Sequence, residues 1–349
     1  MGLRSYILKR LVYSFVLVII VIALNFIIFF ALPGDPYGQF IPPKTMKPEQ
    51  REALLRYWGF YDPPYIKLLK YYNNLLRWDF GRSIRNYEPV GQQMLLRIPW
   101  TLILLGGSTL LSIIFGVLLG VWVAHRRGGA FDTFNVTASL IVGALPTFWM
   151  GLIFLMVLGK NLGWFPLGQA IPASWGTVAY PKPLSTSVQS SGSLNIVLFF
   201  NAADIVEFIR GHVIHAFLPV LTLTLFQYGG FLLLTRATMI EALTEDYIVT
   251  ARAKGITERR VLFGHALKNA SLPIITSVAL SFGFVLSGAI ITETVFSWPG
   301  LGTWIWDAIG TQNYPVLMAD FYVIALCTIV AVFIADLLYG IVDPRIHYG

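Results

Sequence analysis

"TARAKGITERRVLFGHALKNASLPI", Thr250 to Ile274, is a basic, helix-prone segment set between two long apolar runs. Its first nineteen residues carry five Lys or Arg against one Glu. What fold surrounds it depends on whether the flanking runs cross a membrane. Of the 349 residues, 56% are hydrophobic and only 12% are charged, where a soluble globular domain carries about 25% charged residues. That excludes a soluble enzyme with a basic face and predicts an all-α polytopic membrane protein. The net charge of +7 then reads as basic residues flanking the cytoplasmic ends of spans. It does not read as a nucleic-acid surface, because no basic run is interleaved with stacking aromatics in a soluble module.

A transmembrane helix needs about 20 mostly apolar residues. Six stretches qualify: 11–34, 98–124, 133–159, 211–235, 269–292 and 321–342. Arg4, Lys9 and Arg10 precede the first, as in a signal peptide. Its apolar core is too long for one and no small-residue cleavage site follows, so it is expected to stay as an anchor. Lys and Arg in the short loops orient the chain. Residues 1–10, the turn with Arg126 and Arg127, the 236–272 segment and the 343–349 tail (Arg345) carry Lys or Arg, while 293–320 has none. Both termini and the opening segment are therefore placed in the cytoplasm. The 35–97 loop holds ten Lys and Arg, but loops longer than about 60 residues are poor voters in this rule.

That external loop predicts two amphipathic helices. One starts at Pro48 and stops at Gly59, with Leu54, Tyr57 and Trp58 on one face. The other carries Leu68, Leu69, Tyr72, Leu75 and Leu76. Packing on the spans or the membrane surface is the simpler expectation, and contact with an external partner the other. The 160–210 segment, rich in Pro, Ser and Gly, reads as loop. Its apolar stretch Leu194–Ala203 is too short to span and reads as interfacial or packed.

No Walker A lysine loop, HExxH or G-x-S-x-G occurs, so no catalytic constellation is expected. His212 and His215 lack a third ligand nearby in sequence, and no metal is expected there. The single Cys327 has no disulfide partner and reads as filler. Glu293 and Asp320 are expected near the outer span ends, close to water, and Asp336 near the inner end. Structural pairing or capping suits them better than a proton relay. Pro146, Pro219 and Pro273 each remove a helix donor. Gly116 and Gly120 have the spacing of close helix packing. Gly283 and Gly288, with Ser277, Ser281 and Ser287, give span five a small polar stripe that either packs tightly or lines an aqueous path.

In the opening segment, Asp246 to Lys254 can form a helix that stops at Gly255. Thr257 can cap a second helix, with Glu258 in its first turn. There Leu262, Phe263, Ala266, Leu267 and Ala270 make an apolar stripe, with Arg259, Arg260 and Lys268 around it. This reads as a lipid-surface helix or as a docking element for a cytoplasmic protein. "TARAKG", then nine residues, then "HAL" and "LP" resembles the cytoplasmic Glu-Ala-Ala loop of ABC importer permeases in its peptide-permease form. "LPGDP", "WDFGRSI", "PVGQQMLLRIPWTL", "ALPTFW", "ETVFSWPGLG", "NYPV" and "DPRIHY" are family-like and in order. Val249 stands where the general motif has Glu, and Pro273 comes late. Both are habits of the peptide subfamily. The 160–210 segment is longer than usual for it.

The resemblance implies a type I ABC importer permease fold of six transmembrane helices, with its core in 98–342 and helical elements in the external loops. It implies a B-type subunit in the cell membrane, working with a second related permease, two cytoplasmic ATPases that hold ATP and Mg, and an external solute-binding protein. This chain itself would bind membrane lipid, no nucleic acid and no cofactor. The coupling residues would be Ala251, Arg252, Ala253, Gly255, Arg259, Arg260, Leu262, Phe263, His265 and Leu267. Leu262, Phe263 and Leu267 would anchor in the ATPase. Short peptides are the first expectation for the solute, with oligosaccharides or chelated nickel as alternatives. A scaffold or a channel is the reading from another class.

Overall fold

The computed structural model describes residues 3–31, 47–57, 61–176, 184–191, 193–200 and 202–342. The "LPGDP" and "DPRIHY" stretches lie outside the described residues, as do the side chains of Leu54, Tyr57 and Trp58 and the stop at Gly59. The described chain is mainly helical and includes one antiparallel strand pair. The helices are α1 (Leu3–Ala31), α2 (Pro48–Tyr57), α3 (Pro64–Leu76), α4 (Val90–His125), α5 (Ala130–Ala144) and α6 (Thr147–Asn161). After strands β1 (Leu184–Ser191) and β2 (Ser193–Phe200) come α7 (Ala202–Leu243), α8 (Asp246–Ala253), α9 (Glu258–Ser287), α10 (Ile290–Val295), α11 (Leu301–Gly310) and α12 (Tyr314–Val342). Among the described residues, five helices are long and apolar enough to cross a membrane, or six if the bent pair α5–α6 counts as one span.

The bend has a local cause. Leu145 precedes a proline and is extended (φ −77, ψ 138), because a proline's ring disfavours the helical region for the residue before it. Pro146 then starts α6, accepting from the N–H groups of Trp149 and Met150, and the two helices meet at 97°. The stretch 133–159 is thus a broken element. Span five is also broken, since α9 ends at Ser287 and Gly288 (φ +73) turns the chain into α10. The 160–210 segment, read as loop, instead contains the β1–β2 pair, with Leu184 opposite Phe200.

Two packed regions form the ends of the molecule. At one, Phe26 and Phe29 of α1, Tyr71 and Leu75 of α3, Met94 of α4, Trp304 of α11 and Leu317 of α12 share a core. The buried face of α3 is Tyr71, Asn74 and Leu75. Leu69 and Leu76, expected on that face, are exposed, because the stripe sits one position round from the expected one. At the other end the inner halves of α4 and α7 join α8 and α9. Between them α4 lies against α7 where Gly116 and Gly120 leave no room for a side chain. A Cβ on either would fall 2.5 Å from Phe231 Cβ or 2.6 Å from Thr235 Cβ.

Polar contacts tie the remaining helices. Asn25 Nδ2 donates to the Met318 carbonyl at 2.9 Å, and Arg10 pairs with Asp336 at 3.0 Å, joining α1 to α12 at both ends. Asp132 of α5 takes Arg236 of α7 in a two-point pair at 2.6 and 2.8 Å. It also accepts the Gly128 N–H at 2.8 Å. His212 and His215 turn Nδ1 to the carbonyls of Phe208 and Gly211, both at 2.8 Å.

Candidate functional site

The segment between α7 and α9 is built around a chain reversal. α8 closes with two bonds, Gly255 N–H to the Arg252 carbonyl (2.9 Å) and Ile256 N–H to the Ala251 carbonyl (3.3 Å). This pattern needs a left-handed residue after the helix, and Gly255 has φ +72. Open space surrounds the place where its Cβ would be, so the requirement is on the backbone alone. Thr257 begins α9 but makes no side-chain cap. Its carbonyl accepts from Arg260 and Val261. Across the reversal, Arg252 grips Glu258 with Nη2–Oε1 at 2.7 Å and Nε–Oε2 at 3.3 Å. His125, the last residue of α4, lies 3.5 Å from the same carboxylate.

The apolar stripe of α9 faces inward. Leu262 is 0% exposed and packs with Ile248, Ala251, Val261, Ala266, Met239 and Val121. Phe263 and Leu267 are half-buried against that core, and Phe263 meets the Trp122 ring edge-on at 6.2 Å. The expectation that Leu262 anchors in a partner is therefore corrected, since it holds the loop to its own spans, while Phe263 and Leu267 keep part of their surface outside that core. An amphipathic helix spends its apolar face on the nearest core first, and here that core is α4 and α7. His265 is half-buried. The outward surface is Arg252, Ala253, Lys254, Gly255, Arg259 and Arg260, with Val249 exposed at 61%.

The path candidates do not form one stripe. Gly283 faces α12, where its Cβ would come within 2.9 Å of Ala331 Cβ. The Ser281 and Ser287 hydroxyls donate to their own helix, at the carbonyls of Ser277 and Phe284. Pro219 is buried within α7. Pro273 and Ser277 line a shallow groove of about 500 Å³ with Thr276. Gly288 lines a cleft of about 570 Å³ between α4, α6, α7, α10 and α11, together with Thr147, the residue after Pro146. Gln227 and Trp306 also line this cleft. A lone carboxamide in an otherwise uncharged span was the available signal for Gln227.

Glu293 is not near water. It is fully buried, as Asp320 is almost. Its carboxylate accepts from the Thr303 N–H at 3.0 Å and the Thr101 hydroxyl at 3.2 Å, while Thr101 Oγ1 accepts the Leu301 N–H at 2.8 Å. The Ala289 N–H also points to this carboxylate, at 3.4 Å. The "ETVFSWPGLG" run is thus a cradle that fixes α10 and α11 to α4.

Residues 116–348 match the family model described as "Binding-protein-dependent transport system inner membrane component". Over 348 residues the chain is 37% identical to the oligopeptide transport system permease protein AppB of Bacillus subtilis, covering 99% of this chain and 100% of that one. It is 34% identical to the di/tripeptide transport system permease protein DppB of Pseudomonas aeruginosa, with 93% of each chain covered. The dipeptide transport system permease protein DppB of Escherichia coli is also 34% identical, over 99% of each chain.

Proposed function

The chain belongs to the family of binding-protein-dependent transport system inner membrane components, and from that premise we propose that it forms half of the membrane path of an ATP-driven importer of short peptides. The observation that carries the solute class is similarity over nearly the whole chain to relatives named for dipeptide, tripeptide and oligopeptide transport. A second related permease completes the path. Two cytoplasmic ATPases hold ATP and Mg and press on the α8–α9 reversal. An external binding protein delivers the solute. Both termini lie in the cytoplasm. The permease contributes two alternative packings of its helices, not bond chemistry.

The basic outer surface of the reversal is the ATPase contact in this reading. Arg259→Glu with Arg260→Glu tests it, since both side chains are exposed and their reversal leaves the Leu262 core intact. The pair should strip the ATPases from the purified complex without loss of folded permease. Gly255→Val should keep the ATPases but uncouple hydrolysis from uptake, and Gly255→Asn, which tolerates a left-handed backbone, should restore coupling. If the double charge reversal assembles and transports like the parent, the reversal is a lipid-surface element and the reading of this loop is wrong.

A further inference from the structure

Two features of the cleft beside Gly288 bear on what could occupy it. Two breaks in helical backbone border it, Leu145–Pro146 ahead of Thr147 and Gly288–Ala289 ahead of α10. Irregular backbone at membrane depth persists only against protein or a water-filled cavity, not against lipid. The lining also carries no Asp, Glu, Lys, Arg or His. Among its few polar side chains, Gln227 is the one carboxamide, and its orientation is set from behind. Thr109 of α4, 2% exposed, donates its hydroxyl to Gln227 Oε1 at 3.2 Å. With the oxygen so engaged, the two Nε2 hydrogens have no partner among the described residues and remain as donors at the cleft.

We propose that Gln227 is a solute-binding residue of the path: its amide N–H groups take a backbone carbonyl of the passing peptide, in a cleft with no charge to select among side chains. This rests on the peptide-importer reading and deepens it. A carbonyl acceptor is what every peptide has, whatever its side chains. A neutral lining neither traps nor repels an ionised side chain, and a single modest donor holds a solute without retaining it. Phe226 and Trp306, both exposed in the cleft, supply apolar walls that tolerate varied side chains.

The test uses the assembled importer in liposomes, with its binding protein saturated with trialanine, so that uptake reports passage and not capture. Gln227→Leu should lower uptake about three- to tenfold, the effect of losing one neutral hydrogen bond. The ATPases should still co-purify with the variant permease. Gln227→Cys, in a Cys327→Ser background, should react with a small charged thiol reagent, and turnover with trialanine should slow that reaction at least threefold. Parental uptake by Gln227→Leu overturns the role of Gln227 alone. Loss of subunits from that variant, or an unreactive thiol at 227, means that a second permease's helix or lipid fills the cleft and overturns the proposal. No uptake of trialanine by the parent overturns the peptide reading itself.

Discussion

Glu293 is the residue on which most donors converge. Thr101, Ala289, Gly302 and Thr303 all present a hydrogen to one buried carboxyl. Glu293→Gln keeps the shape but turns an NH2 toward those donors, leaving at least one unsatisfied. An unmet buried polar group costs about 1–3 kcal/mol. The variant should therefore lower the unfolding midpoint of the purified complex by several degrees, while Glu241→Gln, on the exposed face of α7, should leave it unchanged. Equal midpoints would show that the cradle is slack. The sequence identified Glu293 as structural but placed it near water. Its partner Thr101 is 192 positions away, and no local pattern reports a contact at that separation. Gly255 was legible because its cause is local: a helix that stops before a second helix needs a left-handed residue between them.

At the scale of elements, α7 is the spine. Its 42 residues span roughly 63 Å at 1.5 Å per residue, more than a bilayer with its headgroups, about 45 Å. α4 packs along it through Gly116 and Gly120, and α5 is fastened to it by Asp132 and Arg236. The Asp132 side chain is 6% exposed and that of Arg236 28%. Breaking such a pair from one side strands a charge, at about 3–5 kcal/mol. Asp132→Ala and Arg236→Ala should each destabilise strongly, and the double variant should be less stable than either by far less than their sum requires. A coupling energy near zero in this cycle, read by thermal unfolding in detergent, would mean that the pair does not fasten α5. The glycine seam was legible as a spacing. The ion pair was not, because Asp132 looks like an ordinary first-turn acid until Arg236, 104 positions on, is brought beside it. The broken span was half legible: Pro146 announced a kink, but a 97° bend depends on what α6 packs against.

For the whole molecule, the two packed ends assign a side to every loop. His125, Glu258 and the α7–α8 junction gather at one end, and the α3, α11 and early α12 residues at the other. The proposed topology, drawn from the Lys and Arg asymmetry, puts the first end in the cytoplasm. In a Cys327→Ser background, Thr311→Cys should label from outside with an impermeant thiol reagent, and Arg127→Cys only after the membrane is opened. Labelling of position 127 alone from outside would invert the topology. Apolar runs of 20 residues made this architecture readable from sequence, whereas the inward turn of Leu262 was not, since an amphipathic stripe says that a face is covered without saying by what. That covered face bears on biogenesis. On the proposed assembly, a newly inserted subunit that has not yet met a partner shows at this reversal mostly arginines and lysines over a covered core, with Val249 as its exposed apolar side chain. Cytosolic quality control would find little to grip on such an orphan, and its surveillance would fall to factors that inspect unpaired helix faces within the bilayer.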